Sequence, residues 1–140
     1  LRSRGNLMDQ SPTVCSSAVP DLSAHKTRER LEDEITWLAA HIAAATCDLL
    51  MLIGRYDQQK GWVQHGLASC AHWLQWRCGT NLGAAREKVR VARALPNLPQ
   101  ISAAFREGRL SYSKVRAISR IAKSENEPSL LNMALHGTAL

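Results

Sequence analysis

Strand-length alternation of apolar and polar residues is missing from this chain, and with it the case for a β-sheet. Aromatic residues make up only 5%, with a single phenylalanine, so the bulky anchors must come largely from Trp62, Trp73 and Trp76. The four cysteines, Cys15, Cys47, Cys70 and Cys78, include no CxxC pair, which argues against a zinc knuckle or redox dithiol and fits a reducing cytoplasm. A metal site from His65, Cys70, His72 and Cys78 is set aside, because the spacings follow no familiar ligand pattern and some of these side chains must face apart on one helix. No metal or cofactor is expected. The longest apolar run, Cys47 to Ile53, is interrupted by Asp48 and falls short of the ~20 residues of a membrane span, so no membrane partner is expected. No apolar signal core follows Arg2 and Arg4, which leaves a cytoplasmic location as the expectation.

Acidic charge is scarce in one segment. Between Arg77 and Lys123 stand eleven basic residues and only two acidic ones, Glu87 and Glu107, whereas residues 1–76 carry seven basic and eight acidic. The chain's net +6 is therefore concentrated, and a concentrated basic segment with regular apolar spacing points to a helical surface that meets a polyanion, nucleic acid first.

The periodicity predicts an all-α chain, in which a long N-terminal amphipathic helix precedes several short ones. Residues 1–26, with Gly5, Pro12, Pro20 and several serines, read as a disordered lead. From Thr27, the residues Leu31, Ile35, Leu38, Ile42, Ala45, Leu49 and Leu52 recur at alternating steps of four and three, and Gly61 is the expected terminator. That stripe is expected to pack on the helices that follow, with a homodimer through the long helix as the alternative. Ser69 and Gly79 bracket a short helix whose tryptophans are expected in the core, a base-stacking platform being the functional alternative. Asn81 opens the next helix, Pro99 the one after, Gly108 closes it in left-handed geometry, and Ser111 caps another with Val115, Ile118, Ile121 and Ala122 inward. A last helix follows Pro128 and is cut short at Leu140, so residues 27–140 read as one incomplete helical domain.

Two of these helices carry basic ridges. At ~100° per residue, Arg86, Arg90 and Arg93 share one stripe and Arg116, Arg120 and Lys123 another, with Arg109 and Lys114 near the intervening turn. These eight residues are the candidate nucleic-acid contacts, DNA being the expected partner, and the Pro99 to Lys123 segment mimics a helix-turn-helix. The competing reading makes the ridges solvated faces, or partners of Glu29, Glu32, Asp33 and Glu34.

VRVARALPNLP (Val89 to Pro99) and ISAAFREGRLSYSKVRAISRIA (Ile101 to Ala122) resemble the 13E12 repeat family, the domain of unknown function 222, and the likeness runs from about Arg28 to the end. Such proteins are bacterial and typically place this helical domain ahead of an HNH nuclease. The resemblance implies a truncated relative whose nuclease module is absent: after Ala122 the chain offers only His136, without the second histidine or cysteine pairs that HNH chemistry and its frame use. No catalytic residue is carried over. The sequence thus predicts a nucleic-acid-binding module without catalysis of its own. A self-associating interaction module, or an inactive remnant of a mobile element, is the alternative.

Overall fold

A computed structural model describes residues 22–137, with side chains from Thr27. Among these residues every regular element is helical: α1 (Leu22–Gln59), α2 (Cys70–Cys78), α3 (Leu82–Ala94), α4 (Pro99–Arg106), α5 (Tyr112–Ile118) and α6 (Glu127–His136), with short 3-10 turns at Gly61–His65 and Leu95–Asn97. The all-α expectation holds. Most of the lead expected over 1–26 lies outside the described residues, and α1 is already helical at Leu22, ahead of Thr27.

Local capping chemistry sets most of the boundaries. The Ser69 hydroxyl accepts the His72 N–H at the start of α2, Asn81 accepts from Gly83 at α3, and Ser111 accepts from Lys114 at α5. Gly79 and Gly108 take the left-handed φ that closes α2 and the turn after α4. At the end of α1 the left-handed residue is Lys60 instead of Gly61. Gly61 is needed for a different reason: a Cβ there would overlap the Tyr56 ring.

α1 packs on α3 and α4, α2 packs on α3, and α5 and α6 close over α4. Leu50, Val91, Leu95, Ile101, Phe105, Leu110 and Val115 form the fully buried centre. The face that α1 turns to this core corrects the expected packing. Ala43, Cys47, Leu50 and Ile53 are buried, whereas Leu31, Ile35, Leu38, Ile42, Leu49 and Leu52 are all exposed. At ~100° per residue the two stripes lie roughly 120° apart around the helix. The body takes the stripe with small residues because these let helices approach closely. A Cβ on Gly54 would come 3.3 Å from the Ala92 carbonyl oxygen, and one on Gly108 would come 2.6 Å from that of Ala40.

Two further expectations change. Trp73 packs against the core, but Trp76 is exposed, as is Ile121, because α5 ends at Ile118 and no longer presents Ile121 to α4. Over Thr27–Gln59, α1 also has the length and composition to cross a membrane, with one 18-residue window of mean hydropathy 1.6. Asp48 interrupts the apolar run without removing this property, because the apolar residues on either side outweigh one charge.

Candidate nucleic-acid interface

α3 and α5 lie against one another, and the tie between them is an arginine. Arg90 is half-buried and makes a bidentate pair with Glu87 one turn earlier, Nε to Oε1 at 3.1 Å and Nη2 to Oε2 at 3.2 Å. The same guanidinium reaches across to α5, donating to the Arg116 carbonyl at 2.9 Å and to the Ser119 hydroxyl at 3.3 Å. Arg120 then donates to Glu87 Oε2 at 2.8 Å from the other side. A single carboxylate therefore holds both ridges together. The hydrogen bond from Arg90 holds the Glu87 carboxyl below the usual glutamate range, with Arg120 and Arg116 adding to the pull and partial burial opposing it.

The other two arginines of the α3 ridge lie on the same side of the helix as Arg90 but make different contacts. Arg93 makes a bidentate pair with Asp57 of α1, at 2.7 and 3.1 Å. Arg86 is exposed, with no ion pair among the described residues. Arg86, Arg90 and Arg93 together line a cleft of about 360 Å³ that opens against Ser69, Cys70 and Ala71 at the start of α2.

Of the eight residues singled out from sequence, five thus have intramolecular work. Arg90, Arg93 and Arg120 pair as described, Arg109 pairs with Glu107 at 2.8 Å, and Lys114 donates to the Ala134 and Gly137 carbonyls at 2.7 and 2.8 Å, closing the end of α6. Arg116 and Lys123 remain exposed and, like Arg86, have side chains free of ion pairs among the described residues. The carboxylate partners are Glu87, Asp57 and Glu107 instead of the acidic start of α1, where Arg30 pairs with Glu34 inside its own helix. Only the spacing of Glu87 and Arg90 was visible beforehand as a helical pair.

The helix-turn-helix likeness is limited. α4 and α5 have the expected order, but α5 ends at Ile118, so Arg120 and Lys123 sit in the turns that follow it instead of on a recognition helix. Trp76 is exposed and flanked by Arg77, whose guanidinium lies 5.9 Å from its ring centre, and by the His65 ring. His72 bonds the Ser69 hydroxyl, Cys70 is buried and Cys78 is exposed. No three His, Cys, Asp or Glu side chains converge on a metal-sized site among the described residues.

Residues 25–134 match the profile of a family described as a domain of unknown function, DUF222. Comparison with curated proteins and with solved structures returns no match.

Proposed function

We propose that this chain, which belongs to the DUF222 family, is a helical module that binds nucleic acid through the joined faces of α3 and α5 and has no catalysis of its own. The observation that carries the reading is the surplus of charge left after pairing. Eight cations, Arg86, Lys88, Arg90, Arg93, Lys114, Arg116, Arg120 and Lys123, stand on these two helices and the turns after them, and the carboxylates paired with them are Glu87 and Asp57. The pairs fix guanidinium groups in place without neutralising the face.

In this reading Arg86, Arg116 and Lys123 lead, since no carboxylate must be displaced before they meet a phosphate. Arg93 and Arg120 are more than half exposed and keep further N–H donors for phosphate oxygens. Contacts of this kind give affinity with little sequence discrimination. The resemblance to 13E12 repeat proteins gives such a module a place ahead of an HNH nuclease, holding a duplex while another domain supplies the cleavage chemistry.

The test uses the unpaired residues, because replacing Arg90 would also cut the tie between α3 and α5. Binding of a labelled duplex is followed by fluorescence anisotropy over a salt series, comparing the wild type with Arg86→Ala, Arg116→Ala and Lys123→Ala combined. Affinity at low salt should fall by ~10-fold or more, and the slope of log affinity against log salt should shallow by about 2 to 3. An unchanged affinity and slope, with helicity intact, would reject the interface.

A further inference from the structure

Among the described residues, the stripe on α1 that the core does not use is a long run of exposed apolar side chains. Leu31, Ile35, Leu38, Ile42, Leu49 and Leu52 are each between 44% and 67% exposed. From Leu31 to Ala39 every residue of α1 is exposed, so this part of the helix projects from the body with no side of it covered. Isolated helices of this length are marginal in water, and helical stability in proteins comes mostly from packing of an apolar face. Among the described residues, a projecting helix with a continuous aliphatic stripe therefore lacks the contact that would hold it.

We infer that a second copy of this chain covers the stripe, as a parallel two-stranded coiled coil. The residue steps define the register. Ile35, Ile42 and Leu49 fall at the a positions of a heptad, and Leu31, Leu38, Ala45 and Leu52 at the d positions, over about three heptads. β-Branched residues at a, with leucine at d, favour two parallel strands. Taking about 180 Å² as the full accessible surface of a Leu or Ile side chain, the six exposed residues present roughly 600 Å² per copy, and two copies together reach about 1,200 Å², the lower edge of a stable specific interface. At its C-terminal end the stripe runs into a groove of about 490 Å³ between α1 and α2, lined by Leu49, Leu52, Trp73 and Leu74, which extends the apolar surface beyond the helix.

A lipid bilayer is the competing occupant, and the structure disfavours it. The apolar run that begins at Ile35 is preceded by Arg28, Glu29, Arg30, Glu32, Asp33 and Glu34, includes exposed Asp48, and commits Ala43, Cys47, Leu50 and Ile53 to the core on another face. Insertion would bury Asp48 in hydrocarbon and strip α1 from α3 and α4. A coiled-coil partner needs only the stripe.

Sedimentation equilibrium tests this at concentrations up to about 100 µM, over a salt series. The wild type should give a species of twice 15.5 kDa, with little salt dependence. Ile42→Asp should give the monomer. So should Ile35→Glu, which lies on the projecting arm and leaves the folded body untouched. Trp37→Glu, exposed but off the stripe, should remain dimeric. Leu31→Cys should form a copy-to-copy disulfide under mild oxidation, above the wild-type background, because parallel register brings position 31 beside its equivalent. A monomeric wild type, a dimer indifferent to Ile35→Glu and Ile42→Asp, or association seen only with phosphatidylcholine vesicles overturns the inference. Failure of Leu31→Cys to cross-link a dimer overturns its parallel arrangement. The salt-insensitive readout is independent of the duplex-binding test, so the two can fail separately.

Discussion

The carboxylate of Glu127, buried at the start of α6, accepts the backbone N–H of Ile101 in the first turn of α4 at 2.8 Å. α4 needs a partner from elsewhere because Leu98 has no side-chain cap to offer and Pro99 no N–H. A negative group there also suits the positive end of the helix dipole. α6 is thereby tied to the core by a polar contact that lies 26 residues away in sequence.

Glu127→Ala leaves the Ile101 amide buried and unpaired, and should destabilise the chain by about 2 to 3 kcal/mol in urea unfolding. Glu127→Gln keeps an acceptor and should cost less than half as much. Equal costs for the two variants would mean that the negative charge of the carboxylate, and not a neutral acceptor of the same shape, is what the contact requires.

Gly108→Ala combines left-handed φ with a Cβ 2.6 Å from the Ala40 carbonyl oxygen, so α1 and the turn must move apart. Gly66 has a similar φ of +71° but nothing within 4 Å. The expected costs are about 3 kcal/mol at Gly108 and about 1 kcal/mol at Gly66, the difference measuring the close approach of α1. Thermal or urea melts of the two variants check this.

Glu87→Gln removes the carboxylate that Arg90 and Arg120 share. If the α3 and α5 faces bind phosphate, duplex affinity at low salt should rise, by roughly two- to five-fold, since the negative charge on that face is removed and Arg120 is released, while Arg90 stays tied to the Arg116 carbonyl and the Ser119 hydroxyl. A fall in affinity with the fold intact would place the binding surface elsewhere. The pH dependence has a definite sign. Because Arg90 holds the Glu87 carboxyl below its ordinary value, the pair's contribution to stability is complete above the ordinary glutamate pKa of about 4.3 and is lost as pH falls through the lower folded value. Acid titrations of wild type and Glu87→Gln should therefore converge below that range.

The thiols should separate by reactivity. Burial pushes Cys70 up to about 11, with Asp57 adding to the rise and Arg93 opposing it, and burial likewise raises Cys47. Cys78 is exposed. At pH 8 a thiol with a pKa near 11 is only about 0.1% thiolate, so Cys78 should react promptly with a disulfide reagent while Cys47 and Cys70 wait for unfolding. Mass mapping of the modified residues reads the order, and early labelling of Cys70 would contradict the packing of α2 on α3.

Much of the helix layout was legible because its determinants are local. Ser69, Asn81 and Ser111 cap amides two or three residues away, and Gly79 and Gly108 close turns through their own φ, so neighbouring residues carry the whole signal. The basic ridges of α3 and α5 were legible for the same reason, as positions on one cylinder. Their partners were not. Arg93 meets Asp57 across 36 positions and Arg120 meets Glu87 across 33, and helical spacing says nothing about which cylinders come together.

α1 shows where local pattern stops. Its sequence determined a long helix with two apolar stripes, and hydrophobicity alone favours the one with larger side chains. Only the tertiary structure decided that the body packs on Ala43, Cys47 and Gly54, because close approach of helix backbones rewards small residues and dispersion contacts fall off steeply with distance. The larger stripe, from Leu31 to Leu52, is left facing outward for the same reason.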